Sequence, residues 1–138
     1  FKQTSAVILV RGDFKQQTLE NLPQWPHFVE QVQLPMLKSS TGKKQVDLAA
    51  LLTLLAKRGI NDVLVEAGAT LAGAFIEQEL ADELILYQAP KLMGGDGKNL
   101  VEMPSIQKLA QAKSLAITDV RMLGCDLRII AQLTQSMT

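Results

Sequence analysis

Apolar positions along the chain fall into short blocks, and the spacing inside each block assigns the element. Ser5–Arg11 (SAVILVR) is a continuous apolar run rich in β-branched residues and closed by Gly12-Asp13, which predicts a buried strand of the kind found in parallel sheets. Pro23, Trp25 and Pro26 break any helix across Phe14–Phe28, so that stretch reads as a short helix or loop leading into an alternating strand at Phe28–Leu34. The polar stretch Lys38–Lys44 (KSSTGKK) reads as flexible. Between Asp47 and Arg58, Leu48, Leu51, Leu52, Leu54 and Leu55 recur at helical spacing, with Asp47 as the cap and Gly59 as the stop. Asn61–Glu66 (NDVLVE) predicts a strand, Ala69–Gln78 a helix and Ala81–Ala89 a further strand, so residues 47–89 alternate as in a layered parallel sheet. Lys91–Gly97 (KLMGGDG) predicts a loop, and a short helix is expected around Ser105–Ala110. The runs Ser114–Met122 and Cys125–Leu133, joined through Leu123-Gly124, read as a closing antiparallel hairpin.

Composition narrows the chemistry. The 138 residues fit one domain with a core of its own, 47% hydrophobic and mostly aliphatic. Fourteen Lys plus Arg balance fourteen Asp plus Glu, which gives no electrostatic case for nucleic acid or an anionic membrane. A single cysteine, Cys125, and a single histidine, His27, rule out an internal disulfide, a multi-His metal site and a Cys/His cluster built by this chain alone. No apolar run reaches the length of a membrane span, and the N-terminus lacks a signal-peptide pattern, so a cytoplasmic protein is expected. The chain opens at Phe1 and enters a strand within a few residues, which points to a piece of a longer protein.

The segment with most chemical content is LVEAGATLAGA, residues 64–74. Small residues after a strand let a phosphate approach the backbone, and the free N–H groups of a first helical turn carry about half a positive charge. The pattern differs from the dinucleotide fingerprint and lacks the lysine of a P-loop. A Gly-Ala helix start selected only for tight packing therefore remains open beside a phosphate site. Glu66, at the expected carboxyl end of a strand, could bind ribosyl hydroxyls or move a proton, or be a solvated acid. Thr70 could instead cap its helix, and Gly94-Gly95-Asp96-Gly97 could line a phosphate or simply turn the chain.

Taken together, Val65-Glu66-Ala67-Gly68-x-Thr70-Leu71-Ala72-Gly73-Ala74 and Asp82-Glu83-Leu84-x-x-Tyr87-x-Ala89-Pro90-Lys91-Leu92-x-Gly94 resemble the reductase domain of the bifunctional riboflavin-biosynthesis deaminase/reductase of bacteria. The likeness covers residues 45 to 133. It implies an α/β, dihydrofolate-reductase-like fold: a mixed, mainly parallel sheet flanked by helices and closed by the C-terminal antiparallel hairpin. It also implies NADPH-dependent reduction of the ribosyl group of 5-amino-6-(5-phosphoribosylamino)uracil, by hydride transfer to C1′. Carried over by position, the resemblance assigns Glu66 to substrate and Gly68, Ala69, Thr70, Leu71, Ala72, Gly73 and Ala74 to NADPH. It assigns no catalytic residue and no metal; the zinc deaminase domain is not expected in this chain, where its H-x-E and P-C-x-x-C patterns do not occur. A homodimer through the 114–133 hairpin is expected, as is weak or absent turnover by a partial domain. The alternatives are an NADPH-dependent folate or pteridine reductase, and a nucleotide-binding or dimerising module that has lost the reaction.

Overall fold

The structure is a computed structural model that describes residues 6–13, 25–39 and 42–134. The expected helix or loop across residues 14–24 lies outside them. The chain divides into two compact units, residues 1–63 and 64–138.

In the first unit, β1 (Val7–Gly12) and β2 (Val29–Leu34) pair in parallel, from Val7 opposite Val29 to Gly12 opposite Leu34. This agrees with the reading of SAVILVR as a parallel strand. Two three-residue strands follow, β3 (Met36–Lys38) and β4 (Lys44–Val46), paired antiparallel. At the described ends of the stretch expected to be flexible, Lys38 stands opposite Lys44, Ser39 N–H donates to the Lys43 carbonyl at 2.8 Å, and Gly42 takes φ +79°. Strands this short are invisible to a search for alternation.

Helix α1 (Leu48–Lys57) starts as its sequence dictates: the Asp47 carboxylate accepts from Ala50 N–H at 2.9 Å. It ends in a Schellman motif, with Ile60 N–H donating to the Leu55 carbonyl, Gly59 N–H to that of Ala56, and Gly59 at φ +79°. A bidentate ion pair ties the end of α1 to β2, Arg58 to Glu30 at 2.6 and 2.7 Å. Among the described residues of this unit, Leu34 and Leu48 are the buried apolar ones.

The second unit holds α2 (Ala69–Glu77) and a three-stranded antiparallel sheet of β5 (Glu83–Gln88), β6 (Leu115–Leu123) and β7 (Asp126–Leu133), ordered β5-β7-β6. Gly124, at φ +62°, occupies the first central position of the two-residue turn between β6 and β7, where a primed hairpin turn needs glycine. Ala74, Phe75 and Ala131 form the buried apolar centre.

A bulge at Thr118 organises the faces of this sheet. Leu115 and Ile117 face Leu133 and Ala131; beyond the bulge, Val120 and Met122 face Ile129 and Leu127. Without the extra residue, Asp119 would land on that apolar face. With it, Asp119 shares the opposite face with Arg121 and Arg128.

Three expectations are corrected. The sheet is not mainly parallel among the described residues, because β1–β2 is the one parallel pair and β5, expected within a parallel layer, runs antiparallel to β7. Asn61–Glu66 is not a strand: none of the described strands pairs with it, and its side chains are exposed, Leu64 to 76%. Its apolar, β-branched composition suits a strand, but a strand exists only when a neighbouring backbone takes up its N–H and C=O groups. The short helix expected around residues 105–110 is a turn at 104–105 and a 3₁₀ turn at Leu109–Gln111.

Candidate active site

Gly68 ends the extended segment and opens α2. It is the N-cap, with φ −71° and ψ 167°, and no side chain caps the helix. Its carbonyl accepts from Leu71 and Ala72 N–H at 3.1 Å each. The N–H groups of Ala69 and Thr70 precede the first intrahelical donor, so they belong to the orphan set of a helix start. A Cβ added at Gly68 would meet nothing within 4 Å. The helix therefore begins at an open, uncapped turn of small residues, with Thr70 and Leu71 exposed.

Glu66 is exposed two residues before this turn. The structure thus brings Glu66, Gly68, Ala69, Thr70 and Leu71 together on one accessible stretch. Ala72 is half-buried, and Gly73 and Ala74 are buried.

Gly73 has a packing reason of its own. A Cβ there would fall on the carbonyl oxygen of Glu102, with the carbonyl carbon at 2.7 Å. The segment around Glu102 lies along the face of α2 that carries Ala69, Gly73 and Glu77. Glu102 N–H donates to the Ala69 carbonyl at 3.0 Å, and the Thr70 hydroxyl donates to Glu102 Oε2 at 2.7 Å. At the far end of the helix the Glu77 carboxylate accepts from Ser105 N–H at 3.0 Å and also from the Ser105 hydroxyl. Thr70 therefore makes no cap of its own helix.

The C-terminus of α2 is a second Schellman motif, formed by Leu80 N–H to the Phe75 carbonyl and Glu79 N–H to that of Ile76. Its left-handed residue is Glu79, at φ 57°, whose carboxylate pairs with Lys113 at 2.5 Å.

The glycine loop after β5 is exposed throughout residues 91–100, and Gly97 N–H donates to the Gly94 carbonyl at 3.1 Å, closing a turn. A charged cluster stands on the polar face of the sheet. Asp119 accepts from Arg128 at 2.8 Å and from Arg121 at 2.9 Å, and the two guanidinium groups, Arg128 first, hold its carboxyl below the ordinary aspartate range. Among the described residues no group of His, Cys, Asp and Glu has the arrangement of a metal site.

Sequence reasoning did not find Glu102, Ser105 or the Asp119 cluster. Glu102 and Ser105 meet α2 across 32 and 28 residues of chain, beyond any local pattern. Asp119 follows from the shift of apolar parity between Ile117 and Val120, a signal present in the sequence.

Comparison with known proteins matches residues 2–128 to the family described as the RibD C-terminal domain. The riboflavin biosynthesis protein RibD of Escherichia coli K12 is 40% identical over 109 residues, which span 79% of this chain and 28% of that protein. A protein of Buchnera aphidicola from Acyrthosiphon pisum, named 5-amino-6-(5-phosphoribosylamino)uracil reductase, is 34% identical over 87 residues, 63% of this chain and 42% of its own length. Among solved structures, Acinetobacter baumannii RibD superposes with a TM-score of 0.70 at 30% identity, over 94% of this chain and 31% of that one. The chain spans between about a quarter and two fifths of the length of these relatives.

Proposed function

Since the chain belongs to the RibD C-terminal domain family, we propose that it carries the reductase function of riboflavin biosynthesis: NADPH-dependent reduction of the ribosyl group of 5-amino-6-(5-phosphoribosylamino)uracil to a ribityl chain. The observation that carries this reading is the open helix start at Gly68 with an exposed carboxylate two residues ahead of it, in a chain similar to a protein named for that reaction.

The turn fits a dinucleotide. Gly68 leaves open space where a side chain would stand, and Ala69 and Thr70 offer N–H groups at the positive end of α2, a favourable site for phosphate oxygens. Gly68 through Ala74 would hold NADPH, which supplies the hydride when bound. Leu71, exposed on the same turn, gives the dinucleotide an apolar contact. Gly73 and Ala74 contribute from beneath, by keeping the helix close to the Glu102 segment and to the core.

Glu66 takes the substrate. An exposed carboxylate accepts hydrogen bonds from sugar hydroxyls, and two bonds to one carboxylate orient the ribosyl carbon toward the hydride donor. The chain's share of the rate is thus alignment of two bound molecules and stabilisation of polar groups at their junction.

The protein acts as a homodimer in this reading, through the apolar face of the β6–β7 hairpin. Leu115, Ile117, Val120 and Met122 are exposed there, the last to 64%. Such a row on a soluble sheet is a natural pairing surface.

The test is NADPH oxidation by the full-length protein, followed with the ribosylaminopyrimidine phosphate and with dihydrofolate or a dihydropteridine as alternatives. Turnover dependent on the pyrimidine supports the reading, and turnover with the folate or pteridine alone replaces it.

A further inference from the structure

We propose that Glu102 is a positioning residue for the cofactor turn, holding it in place of the missing N-cap side chain; this rests on the reading of Gly68–Ala74 as the NADPH site. A nine-residue helix that opens on an uncapped glycine is prone to fray at its first turn. The usual remedy, a Ser, Thr, Asp or Asn at the N-cap, would satisfy one of the N–H groups that a phosphate needs and would fill the space before the helix.

Here the first turn is anchored from the side. Glu102 engages it at two places, its N–H donating to the Ala69 carbonyl at 3.0 Å and its carboxylate accepting from the Thr70 hydroxyl at 2.7 Å, and its carbonyl occupies the space beside Gly73 at the start of the next turn. The bond between Ser105 and Glu77 fastens the same segment at the other end of the helix, so Glu102 is a fixed point and not a passing contact. The orphan N–H groups of Ala69 and Thr70 are left available.

Three single variants of the full-length protein and one double variant separate this role from bulk stability, with NADPH affinity read by fluorescence titration. Glu102→Ala removes both the carboxylate charge and the acceptor for Thr70. Glu102→Gln removes the same charge and keeps the side chain's length and an acceptor, so the difference between the two is not an effect of charge. Thr70→Val removes the donor and leaves the charge.

With the bond gone the first turn frays in the free protein and affinity falls with the fraction of molecules that keep it formed, which predicts roughly tenfold weaker NADPH binding for Glu102→Ala and Thr70→Val. Glu102→Gln restores affinity to within about threefold of wild type, as a neutral acceptor keeps about half of such a bond. Because the two residues act through one bond, the double variant Glu102→Ala/Thr70→Val is no weaker than either single one. In steady state Glu102→Ala raises the KM for NADPH more than it lowers kcat. If Glu102→Ala does not fold, Thr70→Val and Glu102→Gln carry the comparison.

Wild-type affinity in Glu102→Ala and Thr70→Val, or additive losses in the double variant, overturns the role of Glu102. Failure of the wild-type protein to bind NADPH overturns the underlying assignment of the turn.

Discussion

Gly73 and Glu102 occupy one another's space: the side chain that Gly73 lacks is replaced by the backbone of Glu102, whose carbonyl carbon stands 2.7 Å from where a Cβ would be. Gly68, five residues earlier, has nothing within 4 Å of the same hypothetical atom. Both glycines belong to one motif, yet the first faces open space and the second makes room for the protein itself.

That contrast predicts opposite phenotypes for one substitution. Gly73→Val forces the 102 backbone away from α2 and costs about 1–3 kcal/mol of stability, as overpacked buried positions do. Gly68→Val, at φ −71° and in open space, meets no clash and costs no more than about 1 kcal/mol, the difference between glycine and a poorer N-cap, while it weakens NADPH binding by blocking close backbone approach. Denaturant unfolding and NADPH titration, run on both variants, check the pair.

Glu66→Gln tests the substrate side. With the carboxylate assigned to the sugar, kcat/KM for the pyrimidine falls by about tenfold or more, the cost of weakening hydrogen bonds to a charged group. NADPH affinity stays at the wild-type value. Equal losses for both ligands would move Glu66 to the cofactor, and no loss in either would make it a solvated acid.

The acid limb of stability is set in part by Asp119. Its carboxyl is held below the ordinary value of 3.8 by Arg128 and Arg121. A depressed carboxyl pKa contributes stability that is full above the unfolded value and is lost as pH falls through the folded one. Asp119→Asn is therefore less stable than wild type at neutral pH, and the gap narrows as pH drops below about 3.8. Urea unfolding at a series of pH values checks this, and a gap independent of pH would contradict it.

How much of this was legible in the sequence depends on the range of the contacts involved. Asp47, Gly59 and the leucines between them define α1 within a dozen residues, and the structure follows them cap to cap. The closing hairpin is equally local, with Gly124 at its turn. Asn61–Glu66 failed for the opposite reason: its apolar pattern is local, but pairing needs a distant partner strand, and β5, expected to lie parallel in that layer, pairs antiparallel with β7 instead. At the site, the small residues of 68–74 were visible as a motif, whereas the reason for Gly73 lay 29 residues downstream, at Glu102. No spacing rule connects those positions.

The apolar face of β6 predicts a homodimer. Placing lysines at Ile117 and Val120, which are 62% and 54% exposed, should leave the fold intact and yield a monomer by light scattering at micromolar concentration. A wild-type monomer, or a variant dimer of unchanged affinity, would move self-association away from this face.

In the proposed reaction, hydride passes from a cofactor seated at Gly68–Ala74 to the ribosyl carbon of a pyrimidine held by Glu66. NADPH carrying deuterium at both C4 positions, turned over by the full-length protein with 5-amino-6-(5-phosphoribosylamino)uracil, tests it irrespective of the face used. The account predicts a ribityl product carrying a single deuterium at C1′, formed in step with NADPH consumption and slowed by Glu66→Gln. Product without the label, or cofactor consumption indifferent to the pyrimidine, would contradict it.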